Sequence, residues 1–150
     1  MKKMVVSVLF SMIFSACGTA TPLPPVTTDV GADFTLAPGQ SAALNGTDIE
    51  LTLIGVPGDE RCPLLIECAM SGPVTIMIAV KSVSNFFGEF QLTTFTDTNG
   101  SVPPMEFEGV SPRFELNGYS IRVVSVLPFP RQSVDEIRDE DYRVTFEAAK

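Results

Sequence analysis

Val74-Thr75-Ile76-Met77-Ile78-Ala79-Val80-Lys81 is the stretch whose reading decides the fold. Val74, Ile76, Ile78 and Val80 alternate with Thr75, Met77, Ala79 and Lys81. A period of two sends alternate side chains to opposite faces of an extended strand. Branched aliphatic residues favour that pleated, half-buried surface over a helix, where their branching crowds the preceding turn. The stretch is the most apolar of its kind in the chain and is expected in mid-sheet.

The same period recurs on both sides. Ile49, Leu51 and Leu53 alternate with Asp48, Glu50 and Thr52, and Phe90 and Leu92 alternate with Gln91 and Thr93. Tyr119, Ile121 and Val123 alternate with Ser120 and Arg122. Tyr142, Val144 and Phe146 alternate with Arg143, Thr145 and Glu147. Between these runs stand Pro38-Gly39, Asn45-Gly46, Pro57-Gly58-Asp59, Asn99-Gly100 and Asn117-Gly118, all turn chemistry. Asn117-Gly118, between Phe114-Glu115-Leu116 and Tyr119, predicts a two-residue type I′ hairpin. Asn45-Gly46-Thr47 and Asn99-Gly100-Ser101 match glycosylation acceptors but read as turns. Ser133-Val134-Asp135-Glu136 is a capping-box pattern, and predicts a helical turn running to Arg138. Together these signals predict an all-β domain: an antiparallel β-sandwich or barrel of about seven to eight strands, with one short helical turn before the last.

Composition narrows the chemistry. The chain has 150 residues, 45% hydrophobic and 19% charged, as an ordinary globular domain does. It contains no histidine and no tryptophan. Without histidine the commonest general base and the commonest transition-metal ligand are both missing. Ser-His and Cys-His nucleophilic machinery cannot be assembled. The formal charge of −8 repels phosphate backbones and anionic headgroups, which argues against a nucleic-acid partner. We expect no enzyme, no cofactor and no metal.

The N-terminus carries a different signal. Lys2 and Lys3 precede an apolar run from Met4 to Phe14, eleven residues long and too short to span a bilayer. Small residues Ser15 and Ala16 then lead into Cys17. Phe14-Ser15-Ala16-Cys17 resembles the lipobox of bacterial lipoprotein signal peptides, with phenylalanine in the place usually held by leucine. That resemblance implies cleavage before Cys17, a diacylglycerol thioether on its sulfur and acylation of the new amino terminus. Each buried methylene contributes about 0.8 kcal/mol, so two or three chains hold a protein stably on a membrane. The implied location is export and lipid anchoring to a bacterial cell envelope. Gly18 after the cysteine favours the outer membrane if the envelope has two. The other reading is an ordinary secretory signal cut near Ala16 or Ala20. Loss of residues 1–16 removes two lysines and no acid, which takes the formal charge to −10.

Gly18 to Ala32, with Pro22, Pro24, Pro25 and four threonines, reads as a tether. The expected organisation is a signal peptide at 1–16, a lipidated cysteine and tether at 17–32, and the β domain at 33–150. Fully extended, fifteen tether residues reach about 45 Å.

With Cys17 lipidated, Cys62 and Cys68 remain as an even pair in an exported domain, which reads as a disulfide. Metal binding is the alternative, with two thiolates and no histidine to complete a site. Arg61-Cys62-Pro63, four residues and Cys68, followed by Gly72 and an alternating strand, resembles a family of small bacterial lipoproteins. Pro128-Phe129-Pro130 and Tyr142-Arg143-Val144 extend that resemblance, which covers about Phe34 to Glu147; Met70 stands where the family commonly has tryptophan. The family implies a β fold and an exported setting, and no activity.

Leu64, Leu65 and Ile66 inside the cysteine loop either cap one end of the core or present a stiff apolar tip to a partner. Asp135, Glu136, Asp139, Glu140 and Asp141, mixed with Arg131, Arg138 and Arg143, read as a solvated turn with local ion pairs, with calcium as the alternative. Asp97-Thr98-Asn99-Gly100 matches half of a calcium loop and lacks its distal glutamate. No two carboxylates are fixed at the separation glycoside hydrolysis needs. Met70, Met77 and Met105 read as packing rather than a copper site. The expected function is a non-catalytic binding or structural module that meets membrane lipid through Cys17 and an envelope or extracellular protein elsewhere. The alternative is inhibition of a secreted hydrolase, of protease or lysozyme type, by insertion of the cysteine loop or the Phe107–Arg113 loop.

Overall fold

Val74, Ile76, Ile78 and Val80 are each fully buried, while Thr75, Met77 and Ala79 between them are half-buried. The period of two is therefore realised as a strand with one face in the core. The computed structural model describes residues 23–82, 86–105 and 107–150, with only the backbone of Phe86 and Phe87. The segment expected as a signal peptide, Cys17 and the first part of the expected tether lie outside the described residues.

Among the described residues nine strands form two sheets: β1 (Val26–Thr28), β2 (Asp33–Leu36), β3 (Ser41–Leu44), β4 (Ile49–Asp59), β5 (Val74–Ser82), β6 (Phe86–Thr94), β7 (Arg113–Leu116), β8 (Tyr119–Leu127) and β9 (Arg143–Ala149). One sheet has the order β1-β3-β4-β5-β6 and the other β2-β9-β8-β7, so β5 lies inside its sheet between β4 and β6. The two inner faces meet as a sandwich. Leu51, Leu53, Ile76 and Ile78 come from the first sheet, and Leu36, Ile121, Val123, Val144 and Phe146 from the second, all with essentially no exposed surface. At one side the sheets are stitched by Phe90 stacked on Phe114 at 4.9 Å and by the Thr93 N–H donating to the Ser111 carbonyl at 3.0 Å. At the other, the Gly31 N–H donates to the Ala148 carbonyl at 2.7 Å. Among the described residues no helix is long and apolar enough to cross a membrane.

The all-β sandwich is as expected, with local differences. The strand number is nine because β1, β2 and β3, three or four residues each, offer too few positions for a period to register. Among the described residues the antiparallel rule has one exception, the parallel pairing of β1 with β3. That pairing also corrects the domain boundary. Val26–Thr28, expected in the tether, is a strand, so the domain begins at Val26 rather than Asp33. Its Val-Thr-Thr sequence is a good strand former hidden in proline- and threonine-rich surroundings. The Gln40 Nε2 donates to the Pro24 carbonyl at 2.8 Å and pins the approach.

Pro57-Gly58-Asp59, expected as a turn, is the end of β4. The register shifts between Gly55 and Gly58, so Pro57 falls in an irregularity where its missing N–H breaks no ladder bond. Asn117 and Gly118 have φ of 51° and 80° and connect Leu116 to its partner Tyr119, the type I′ geometry their sequence predicts. The Ser133 hydroxyl accepts the Asp135 N–H at 3.1 Å, as a cap should. The single helical turn expected there is two 3-10 turns, Val134–Glu136 and Asp139–Asp141. Ile137 breaks them by turning extended and packing on the core.

Candidate functional site: the cysteine loop and its buried seat

The connection between β4 and β5 continues their hairpin and ends in the cysteine loop. At its neck the Glu60 N–H donates to the Pro73 carbonyl at 3.0 Å, and the Gly72 N–H to the Glu60 carbonyl at 2.8 Å. The chains are so close there that a Cβ on Gly72 would lie 2.5 Å from the Glu60 Cβ and 2.7 Å from its carbonyl oxygen. Cys62 and Cys68 are joined as a disulfide, their Cα atoms 6.0 Å apart, as the pairing of the last two cysteines anticipates. Inside the loop the Ile66 N–H donates to the Pro63 carbonyl at 3.1 Å, and the Cys62 N–H to the Ser71 hydroxyl at 3.0 Å.

The loop is also tied to the far sheet. The Leu64 N–H donates to the Pro130 carbonyl at 3.1 Å, and the Leu65 N–H to the Arg131 carbonyl at 2.8 Å. Beneath it lies Arg61, among the largest fully buried side chains of the domain. Its guanidinium meets the Asp59 carboxylate through Nε at 2.8 Å and Nη2 at 2.5 Å. Two further N–H groups donate to the Val126 carbonyl and the Pro128 carbonyl, each at 2.9 Å. The Phe129 ring covers the guanidinium at 5.1 Å. The Tyr142 hydroxyl donates to Asp59 Oδ2 at 3.0 Å. Burial first, and then the neighbouring Asp59 charge, push the Tyr142 phenol far above its ordinary pKa, so it stays a donor. A buried arginine is tolerable only when paired and hydrogen-bonded in this way.

Over this seat the tip is apolar and open. Leu64, Leu65 and Ile66 are 49%, 66% and 52% exposed, and Met70 is 83% exposed. None of the three loop residues belongs to the buried core cluster or is among the half-buried residues packed against it. A shallow hollow of about 380 Å³ lies on the same hairpin, lined by Ile54, Val56, Pro57 and Met77 with Pro38 and Asp139.

The other predicted groups are placed apart from this loop or are already engaged. Arg138 takes Asp141 through two bonds of 2.8 Å and Glu140 at 3.1 Å, so part of the acidic cluster is a solvated turn with local ion pairs. The Arg138 hydrogen bond lowers the Asp141 pKa. Asp97 Oδ1 accepts the N–H groups of Asn99 and Ser101 at 2.9 and 2.8 Å and closes its own turn. The Phe107–Arg113 loop folds against the sheet edge, with Phe107 edge-on to Phe95 at 5.3 Å. Met77 sits in β5, Met70 between Cys68 and β5, and Met105 between β6 and β7.

The seat is what sequence reasoning missed. Arg61, Pro128-Phe129-Pro130 and Tyr142 all stand out in the sequence, yet nothing joins them to one another or to Asp59. One signal was available: Asp59 and Arg61 are two residues apart in extended chain, which puts both on one face.

Set against protein-family models, curated proteins and solved structures, the chain matches none.

Proposed function

We propose that this chain is a lipid-anchored envelope protein that works as a non-catalytic contact module, with the Cys62–Cys68 loop as its contact element. One observation carries the proposal: three adjacent apolar side chains are held in solvent by a loop that is fixed at every level. Loops on rigid scaffolds commonly carry binding, and a loop ordered in advance loses little freedom when a partner arrives. Exposed apolar clusters on a rigid element mark contact surfaces more often than isolated apolar residues do. Support for the anchor is the lipobox sequence ending at Cys17, and with it the resemblance to small Arg-Cys-Pro lipoproteins. Support for a non-catalytic role is the missing histidine and the state of Asp59, Arg61 and Tyr142, whose polar atoms bond one another in the interior.

A convex loop closed by a disulfide is also the shape that blocks a hydrolase cleft, so inhibition of a secreted hydrolase is the second reading. Metabolic palmitate labelling tests the anchor and is expected to be lost in Cys17→Ala. Recovery of bound envelope components by the wild type but not by Leu65→Asp tests the contact element. A recovered hydrolase whose turnover falls when the purified protein is added would select the inhibitor reading. Equal recovery by both proteins contradicts the assignment of the loop.

A further inference from the structure

The chain enters the domain from the direction of the end that carries the cysteine loop. β1 runs parallel to β3, β3 antiparallel to β4, and β4 leads into the loop. Going back from Val26 toward the N-terminus is therefore travel in the same direction as going from Leu53 toward Asp59. Pro24 is held by Gln40, which is itself bonded to Leu53, so the entry lies level with Leu53. From Leu53 to Asp59 the bulged β4 keeps pace with only four steps of β5, Ile78 to Val74, which at about 3.3 Å each carry the hairpin roughly 13 Å further. From Pro24 back to Cys17 there are seven residue steps, whose reach at about 3.1 Å each is roughly 20 Å. A lipid on Cys17 would thus lie in the direction of the loop end, on a tether that outreaches the hairpin overhang and leaves room for the loop beyond it.

That end carries the apolar tip of Leu64, Leu65, Ile66 and Met70, with exposed Leu127 beside the seat at the end of β8. Given the lipid anchor proposed above, we propose that the Cys62–Cys68 loop rests in the interface of the bilayer that holds the Cys17 lipid. The partner of the tip is then the lipid surface itself. Apolar burial drives the contact. Glu60, Glu67 and the Asp135–Asp141 turn lie at the same end, so anionic headgroups oppose it and zwitterionic ones do not. The tip acts as a second point of attachment and sets the tilt of the domain.

The absence of tryptophan supplies the test. Leu65→Trp places a single indole at the tip, and Lys150→Trp places one at the opposite end. Each full lipidated protein is reconstituted into phosphatidylcholine vesicles, with and without brominated phosphatidylcholine. Flotation reports the anchor and tryptophan emission reports the tip. The expected result is flotation of both, with a blue shift and bromolipid quenching for Leu65→Trp and neither for Lys150→Trp. Added phosphatidylglycerol should reduce the shift. A tip tryptophan that stays as water-exposed as that at position 150, in protein that floats, overturns the docking and leaves the anchor standing. Shielding that arises only on adding envelope protein overturns it in favour of a protein partner. Failure to float removes the anchor and the docking with it. If Leu65→Trp does not fold, Ile66→Trp reads the same surface.

Discussion

Arg61 and Asp59, two residues apart at the end of β4, form a two-bond ion pair in which the side chains keep 0% and 2% of their surface exposed. The pair links three parts of the chain. Asp59 also accepts Tyr142 from the start of the last strand, while Arg61 binds carbonyls of Val126 and Pro128 at the end of β8. The junction and the Leu64 and Leu65 amides beside it tie the cysteine loop to the chain that follows β8.

Breaking the pair from one side leaves the other charge buried without a partner. Arg61→Met and Asp59→Asn should each cost about 3–5 kcal/mol in denaturant unfolding, far more than exchange of an exposed charge. Arg61→Lys should recover only part of this, because an ammonium cannot make the two parallel bonds. A double substitution to apolar residues should be milder than either single one.

Tyr142 gives the junction a pH signature. Its folded-state pKa is raised, so the stability it contributes is fully present below the unfolded value and declines as pH climbs above about 10. The wild type should lose stability on the alkaline side more steeply than Tyr142→Phe. At neutral pH, Tyr142→Phe should cost about 1.5–3 kcal/mol for the bond to the Asp59 carboxylate.

Gly72 is required at the loop neck for space rather than for backbone angle. A methyl group there meets Glu60 at distances no real Cβ tolerates, so Gly72→Ala should cost about 1–3 kcal/mol and loosen the loop. Faster amide exchange at Glu60 and Leu64 would register the loosening.

The disulfide closes a seven-residue loop, worth about 2 kcal/mol by constraint of the unfolded chain. Cys62→Ser with Cys68→Ser should lower stability by that order. In the wild type the two sulfurs should resist alkylation until reduced.

The parts of the fold that could be read from the sequence are those where one rule acts alone. Alternation at Val74–Val80 and the positive-φ pair Asn117-Gly118 each encode a local geometry, and both are found. β1 was hidden because three residues carry no period and their proline surroundings read as tether. Pro57-Gly58-Asp59 misled because turn residues and bulge residues are the same residues, and only the pairing with β5 tells them apart. The cysteine loop was visible as chemistry. Its seat was not, because Asp59 and Tyr142 are 83 positions apart and meet only when the sheets pack.

The most direct test of the contact role is photocrosslinking from position 65 in living cells, with position 150 as the reference. The account predicts adducts at 65, absent at 150, that vanish when Leu64 and Ile66 are replaced by aspartate in a protein that still folds. Equal yields from the two positions would contradict it.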